Sequence, residues 1–130
     1  MNHRKTPGEA EELADILVII LEEGSERVEF VIFHSSRAIG RGLKSSDIDL
    51  CIYYKGTVEE MSKFRLKLLS RLPSHVDVQI FQQLPLYVRK EVLKGRVLYA
   101  KDRKFLYEVA LKTIRDFEAF KPHFYDYIYR

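Results

Sequence analysis

The sequence predicts an α+β fold, a small mixed β-sheet with helices packed on one face. Three observations lead there. Segments with apolar residues at three- and four-residue steps are interleaved with short β-branched and aromatic runs, the pattern of helices laid against strands. The helical segments begin and end on capping and breaking residues. Of the 130 residues, 46% are hydrophobic, enough to fill one core, and no linker or repeat divides them. A single domain over residues 1–130 is therefore expected.

Each element follows in order. Thr6-Pro7-Gly8-Glu9 is a helix start: Thr6 caps, Pro7 suits the first turn, and Glu9 reaches back as in a capping box. Leu13, Ile16, Leu17, Ile20 and Leu21 make one buried stripe. Gly24 is placed to be the left-handed residue that ends this helix. Val28 to Phe33 forms a strand. The small, polar and basic stretch His34 to Ser46 is the longest loop-like segment, and such loops usually carry function. Ile48 to Tyr54 is a second strand, closed by Lys55-Gly56.

Thr57 with Glu60 repeats the capping-box spacing. The helix behind it has an apolar face of Val58, Met61, Phe64, Leu68, Leu69 and Leu72, and Pro73-Ser74 ends it. His75 to Phe81 alternates as a third strand. A short helix from Pro85 to Lys94 stops at Gly95, and a brief strand spans Arg96 to Tyr99. Asp102 caps a long helix carrying Leu106, Val109, Thr113, Ile114, Phe117 and Phe120, which Lys121-Pro122 is expected to break. The aromatic tail adds Phe124, Tyr125, Tyr127 and Tyr129, so residues 102–130 are expected to extend the domain toward a partner.

Composition excludes several classes. A net charge of +3 is too mild for stable nucleic-acid binding. The lone cysteine, Cys51, rules out an internal disulfide and a cysteine zinc site, and suits a reducing, cytoplasmic compartment. The longest apolar run, Ile16 to Leu21, is far short of the ~20 residues that cross a bilayer. Glu9, Glu11 and Glu12 stand where a signal peptide needs its apolar region, so neither membrane insertion nor secretion is expected.

Strand alternation places Asp47, Asp49 and Cys51 on one face and Ile48, Leu50 and Ile52 on the other. In the third strand Asp77, Gln79 and Phe81 oppose Val76, Val78 and Ile80. If these strands are neighbours, Asp77 sits beside Asp47 and Asp49. Three carboxylates so close repel one another, and a divalent cation removes the conflict; hard oxygen ligands suit Mg²⁺ or Mn²⁺. Taken singly, an Asp-x-Asp at a strand start is more often a solvated feature, and Asp77 an edge residue. The joint pattern, with a basic serine-rich loop directly upstream, favours the metal.

The run Ser35-Ser36-Arg37-Ala38-Ile39-Gly40-Arg41-Gly42-Leu43-Lys44-Ser45-Ser46-Asp47-Ile48-Asp49-Leu50 resembles the signature of the DNA polymerase β-type nucleotidyltransferase superfamily. That signature is Gly-Ser, a spacer, Asp-x-Asp, and a third Asp on a later strand, here within Val76-Asp77-Val78. Most of the chain resembles the minimal nucleotidyltransferase branch. The resemblance implies a polymerase β-like fold, with Asp47, Asp49 and Asp77 as catalytic residues holding two Mg²⁺ ions. It implies ATP as substrate, with Ser35, Ser36 and Arg37 binding the nucleotide triphosphate. It also implies a HEPN-domain toxin as partner, to which this antitoxin-like chain would transfer AMP.

One departure is Ser35, where the family usually has glycine. A Cβ there hinders positive φ and close approach to phosphate, at about 1–2 kcal/mol if the backbone is left-handed. Arg37 is the best phosphate contact among Arg37, Arg41 and Lys44, because a guanidinium meets phosphate bidentately. Ser45 and Ser46 shape the turn into the strand. His34 is read as a structural strand-end residue and Cys51 as a packing residue. Two alternatives stand beside this reading: a catalytically degenerate antitoxin that acts by stoichiometric binding, and nucleotide transfer to a small molecule. The second is disfavoured, since such enzymes carry an additional helical domain for the acceptor. The sequence leaves a homo-oligomer open.

Overall fold

The computed structural model describes residues 7–34 and 48–128. Two apolar runs, Val28–His34 (β1) and Ile48–Tyr54 (β2), pair antiparallel at the centre of a four-stranded sheet. Val76–Ile80 (β3) lies parallel to β2 on one edge, and Arg96–Ala100 (β4) lies antiparallel to β1 on the other, giving the order β3-β2-β1-β4. Helix α1 (Pro7–Gly24) precedes the sheet. Helix α2 (Val58–Arg71) makes the crossover that a parallel pair requires. Helix α3 (Leu86–Val92) joins β3 to β4, and α4 (Arg103–Ile128) follows. The sheet is mixed and the class α+β, as the sequence predicts.

The capping box at the start of α2 is formed: Thr57 Oγ1 accepts from the Glu60 N–H, and Glu60 Oε1 accepts from the Thr57 N–H. Asp102 caps α4 by accepting from the Lys104 N–H. Leu13, Ile16 and Ile20 of α1, with Met61, Phe64 and Leu68 of α2, pack on Val31, Leu50, Ile52, Val78 and Ile80. Ile20, Leu50, Ile52, Leu68 and Val78 are fully buried, each stabilising the fold by roughly 1.5–3 kcal/mol relative to exposure. Arg71 joins the two helices outside this core, through Glu22 and Glu23 at 3.1 Å each.

Helices cover both faces of the sheet, not one. Phe30, Ile32 and Cys51 form a second cluster on the opposite face with Phe81, Leu84, Val88 and Val92, closed by Leu106 of α4. The physical reason lies in β1, which sends Val28 and Val31 into the first cluster and Phe30 and Ile32 into the second, so that both of its faces bury apolar side chains.

Other expectations are corrected locally. Gly24 is right-handed at φ −97°, and the left-handed residue is Ser25 at φ 53°. Gly24 is required for space: a Cβ there would come within 2.9 Å of Phe64 Cε1 and closer still to Val28. Phe81 leaves the strand for a 3-10 turn, Phe81–Gln83, and its ring meets Phe30 edge-on at 5.5 Å. Val58 is 71% exposed. At ~100° per residue it lies about 90° from the centre of the Met61, Phe64, Leu68 stripe. Ile114 is exposed for the same reason, about 100° round α4 from Leu106, Val109 and Thr113. Phe120, one turn past Phe117, is also exposed.

Lys121-Pro122 does not break α4, which continues to Ile128. Proline removes one backbone hydrogen bond, and no glycine in Arg103–Ile128 adds a second break. The Thr6 cap lies outside the described residues. Among them, no helix is long and apolar enough to cross a membrane.

Candidate active site

Strand register assembles the site. Ile48, Leu50 and Ile52 face the α1–α2 core, so Asp49 and Cys51 face the other way. Val76, Val78 and Ile80 do the same in β3, turning Asp77 and Gln79 to that second face. Asp49 and Asp77 are direct register partners across the parallel pair, and Cys51 is the partner of Gln79. On the other side of β2, His34 of β1 is the register partner of Asp49. His34, Asp49 and Asp77 therefore form a row across three strands on one face.

The row is sheltered without being sealed. Asp49 is 5% exposed and His34 7%, while the Asp77 side chain retains 17%. Gln79 Nε2 donates to Asp77 Oδ2 at 3.0 Å. Arg65 of α2 donates from Nε to the Val78 carbonyl at 2.6 Å, and its Nη2 lies 3.9 Å from Asp77 Oδ1. Cys51 is buried beside the row, and burial alone pushes its thiol well above the usual range. Cys51 packs among the apolar side chains of the second cluster, the packing residue expected.

Of the sequence-predicted site, Asp49 and Asp77 are brought together on one face. Asp47, the third acid, lies outside the described residues, as do Ser35, Ser36, Arg37, Arg41, Lys44, Ser45 and Ser46. Among the described residues, no group of three or more His, Cys, Asp or Glu side chains is placed to hold a metal ion. The two carboxylates that are present are hard oxygen donors of the kind Mg²⁺ and Mn²⁺ take, and their adjacency carries the like-charge conflict that such an ion relieves.

Sequence reasoning missed Arg65, Gln79 and the pairing of His34 with Asp49. Gln79 was within reach, because it is two residues from Asp77 on the same strand face. Arg65 gave no local signal, since its position follows from how α2 docks near the edge strand. A second polar cleft, bounded by Glu23, Arg27, Tyr54, Glu60, Lys63 and Lys67, lies on the α1–α2 face, where Tyr54 stacks on Phe64 at 4.1 Å. The sheet separates it from the acids.

Comparison with known proteins agrees with the fold. A family model described as "Polymerase beta, Nucleotidyltransferase" matches residues 15–104. A Methanocaldococcus jannaschii protein named "Putative protein adenylyltransferase" is 32% identical over 65 residues, which is 50% of this chain and 49% of that protein. The match thus spans about half the length of this curated relative. Among solved structures, a toxin–antitoxin crystallised with AMP-PNP aligns with a TM-score of 0.65 at 19% identity, covering 88% of this chain and 94% of that one. The toxin–antitoxin MntA-HepT aligns at 0.66 and 17%, covering 92% and 95%. A tri-AMPylated Shewanella oneidensis HEPN toxin in complex with MNT antitoxin gives 0.66 and 17%, covering 92% and 94%. At these identities the structural likeness is one of fold.

Proposed function

This chain belongs to the polymerase beta nucleotidyltransferase family, and from that premise we propose that it transfers AMP from ATP to a protein acceptor, a HEPN-type toxin for which it serves as antitoxin. The observation that carries the reading is the in-register placement of Asp49 beside Asp77 on one sheet face. Asp47, two residues before Asp49, supplies the third carboxylate. The name of the archaeal relative and the complexes formed by the structural neighbours point to the same acceptor class.

In this reaction an acceptor hydroxyl attacks the α-phosphorus of ATP. A new P–O bond forms, the bond to the bridging oxygen breaks, and pyrophosphate leaves. Asp47, Asp49 and Asp77 would hold two Mg²⁺ ions, which when bound would lower the pKa of the attacking hydroxyl and offset charge on the leaving group. Ser36 and Arg37 hold the β- and γ-phosphates, and Ser35 accepts the triphosphate less closely than glycine would. Asp49 and Asp77 come from rigid strands, so their oxygens are fixed before substrate arrives. Exposed Tyr107, Leu111 and Ile114 form an apolar strip along one side of α4, a surface suited to a protein partner.

The test is incubation with α-labelled ATP, Mg²⁺ and the partner protein. Label is expected on the partner with the wild type, and at least about a hundredfold less with Asp49→Asn or Asp77→Asn. Equal labelling by these variants overturns the assignment. If the double variant Asp47→Ala, Asp49→Ala still protects cells fully from the partner, stoichiometric binding replaces catalysis.

A further inference from the structure

Two of the neighbours of Asp77 differ in kind. Gln79 lies two residues along the same strand and makes a directional hydrogen bond to Oδ2, which fixes the plane of the carboxylate. Arg65 belongs to α2, the helix packed on the opposite face, and it reaches β3, the edge strand of the sheet. Its Nε is anchored on the Val78 carbonyl, so its charge is held in place whatever Asp77 does. At 3.9 Å from Oδ1 its Nη2 acts through its field and not through a hydrogen bond. With the two side chains 30% and 17% exposed, water screens that field only in part.

The consequences have opposite sign. Two carboxylates in register repel, and a fixed cation nearby lets them stay together. The same cation repels an incoming divalent ion. The Gln79 bond does the reverse: it orients Asp77 through Oδ2 without adding charge, as outer hydrogen bonds do for metal-binding carboxylates. We propose that Gln79 and Arg65 tune the cation affinity of the Asp49–Asp77 pair in opposite senses, Gln79 as a positioning residue and Arg65 as a resident counter-charge displaced in effect when a divalent ion binds. This rests on the nucleotidyltransferase reading for the presence of the ion.

Equilibrium binding of Mn²⁺ to the full chain, without nucleotide, tests it. Gln79→Leu is expected to weaken binding about tenfold. Arg65→Met is expected to tighten it on the order of threefold, and Arg65→Lys, which restores the charge, to return it toward wild type. Arg65→Gln makes the same charge comparison should Arg65→Met not fold, as judged by circular dichroism. Loosening of the edge strand would weaken binding in the Gln79 and Arg65 variants alike, so only opposite shifts support the proposal. Unchanged binding by Gln79→Leu, weaker or equal binding by the uncharged Arg65 variants, or a lysine variant that behaves like methionine overturns it. Equal binding by wild type and Asp49→Asn overturns the proposed active site and this inference with it; loss in Asp49→Asn without opposite shifts overturns this inference alone.

Discussion

Asp49 and Asp77 face each other across the parallel β2–β3 pair, two carboxylates in register on one sheet face. Like charges opposite one another destabilise a sheet, so the arrangement favours function over stability. Asp49→Asn is expected to raise the stability of the metal-free chain by about 0.5–1 kcal/mol in urea unfolding while abolishing label transfer. A drop of that size would instead show that contacts of Asp49 within the fold outweigh the repulsion.

Cys51 gives a pH prediction. Burial holds its thiol protonated in the folded chain, far above its ordinary value of 9.0. Unfolding releases that proton once the pH passes about 9, so the folded state loses ground as pH rises. Tyr53 acts in the same direction, raised first by burial and then by Glu29. Stability present below pH 9 should fall above it, with Cys51 contributing about 1.4 kcal/mol per pH unit. The difference between wild type and Cys51→Ala, followed by urea unfolding from pH 7 to 10.5, isolates that share. A pH-independent difference would place the thiol in contact with solvent.

The end of α1 depends on the close approach of Gly24 to Phe64 and Val28. Gly24→Ala should cost about 1–3 kcal/mol by overpacking, although alanine is the better helix former. A stabilised variant would show that Phe64 swings aside freely.

The pair of acids was legible in the sequence because strand alternation is local. Ile48-Asp49-Leu50 and Val76-Asp77-Val78 each state their own two faces, and a single pairing then aligns them. The both-faced cover was legible in principle, since Phe30, Val31, Ile32 and Phe33 put apolar side chains on both faces of β1. Arg65 was not, because nothing in its neighbours says which edge α2 will reach. Val58 and Ile114 were misplaced for a geometric reason: steps of three and four drift round a helix, and a chain of such steps can leave the buried stripe. Gly24 was identified as special for the wrong cause, since a terminal glycine can mark a left-handed turn or a tight contact.

The start of α2 makes a separable prediction. Thr57 and Glu60 bond each other's backbone, and Arg27 adds an ion pair to Glu60 at 2.9 Å. Thr57→Ala should lower stability by about 1 kcal/mol. The Thr57 N–H, and then Arg27, hold the Glu60 carboxyl below its usual range. That stabilisation is present above the ordinary carboxylate range and is lost as pH falls through the lowered value. Glu60→Gln should therefore flatten the acid limb of the stability profile while leaving the helix capped, which amide exchange at the first turn would report.

Partner binding and chemistry are separable at α4. Leu111 is exposed midway between Tyr107 and Ile114, one and two turns along the same side of the helix. Since it supports no core contact, Leu111→Asp should change stability by no more than about 0.5 kcal/mol. If this strip seats the protein acceptor, the charge must be buried on binding, and affinity should fall about 30-fold, the scale of an interface hot spot. Mn²⁺ affinity should stay at the wild-type value, because the acids sit on the sheet and not on this helix. Calorimetry with the partner and metal binding on the same sample give both numbers. Loss of both together would mean that the substitution disturbs the fold, and loss of neither would move the acceptor to another surface while leaving Asp49 and Asp77 where they are.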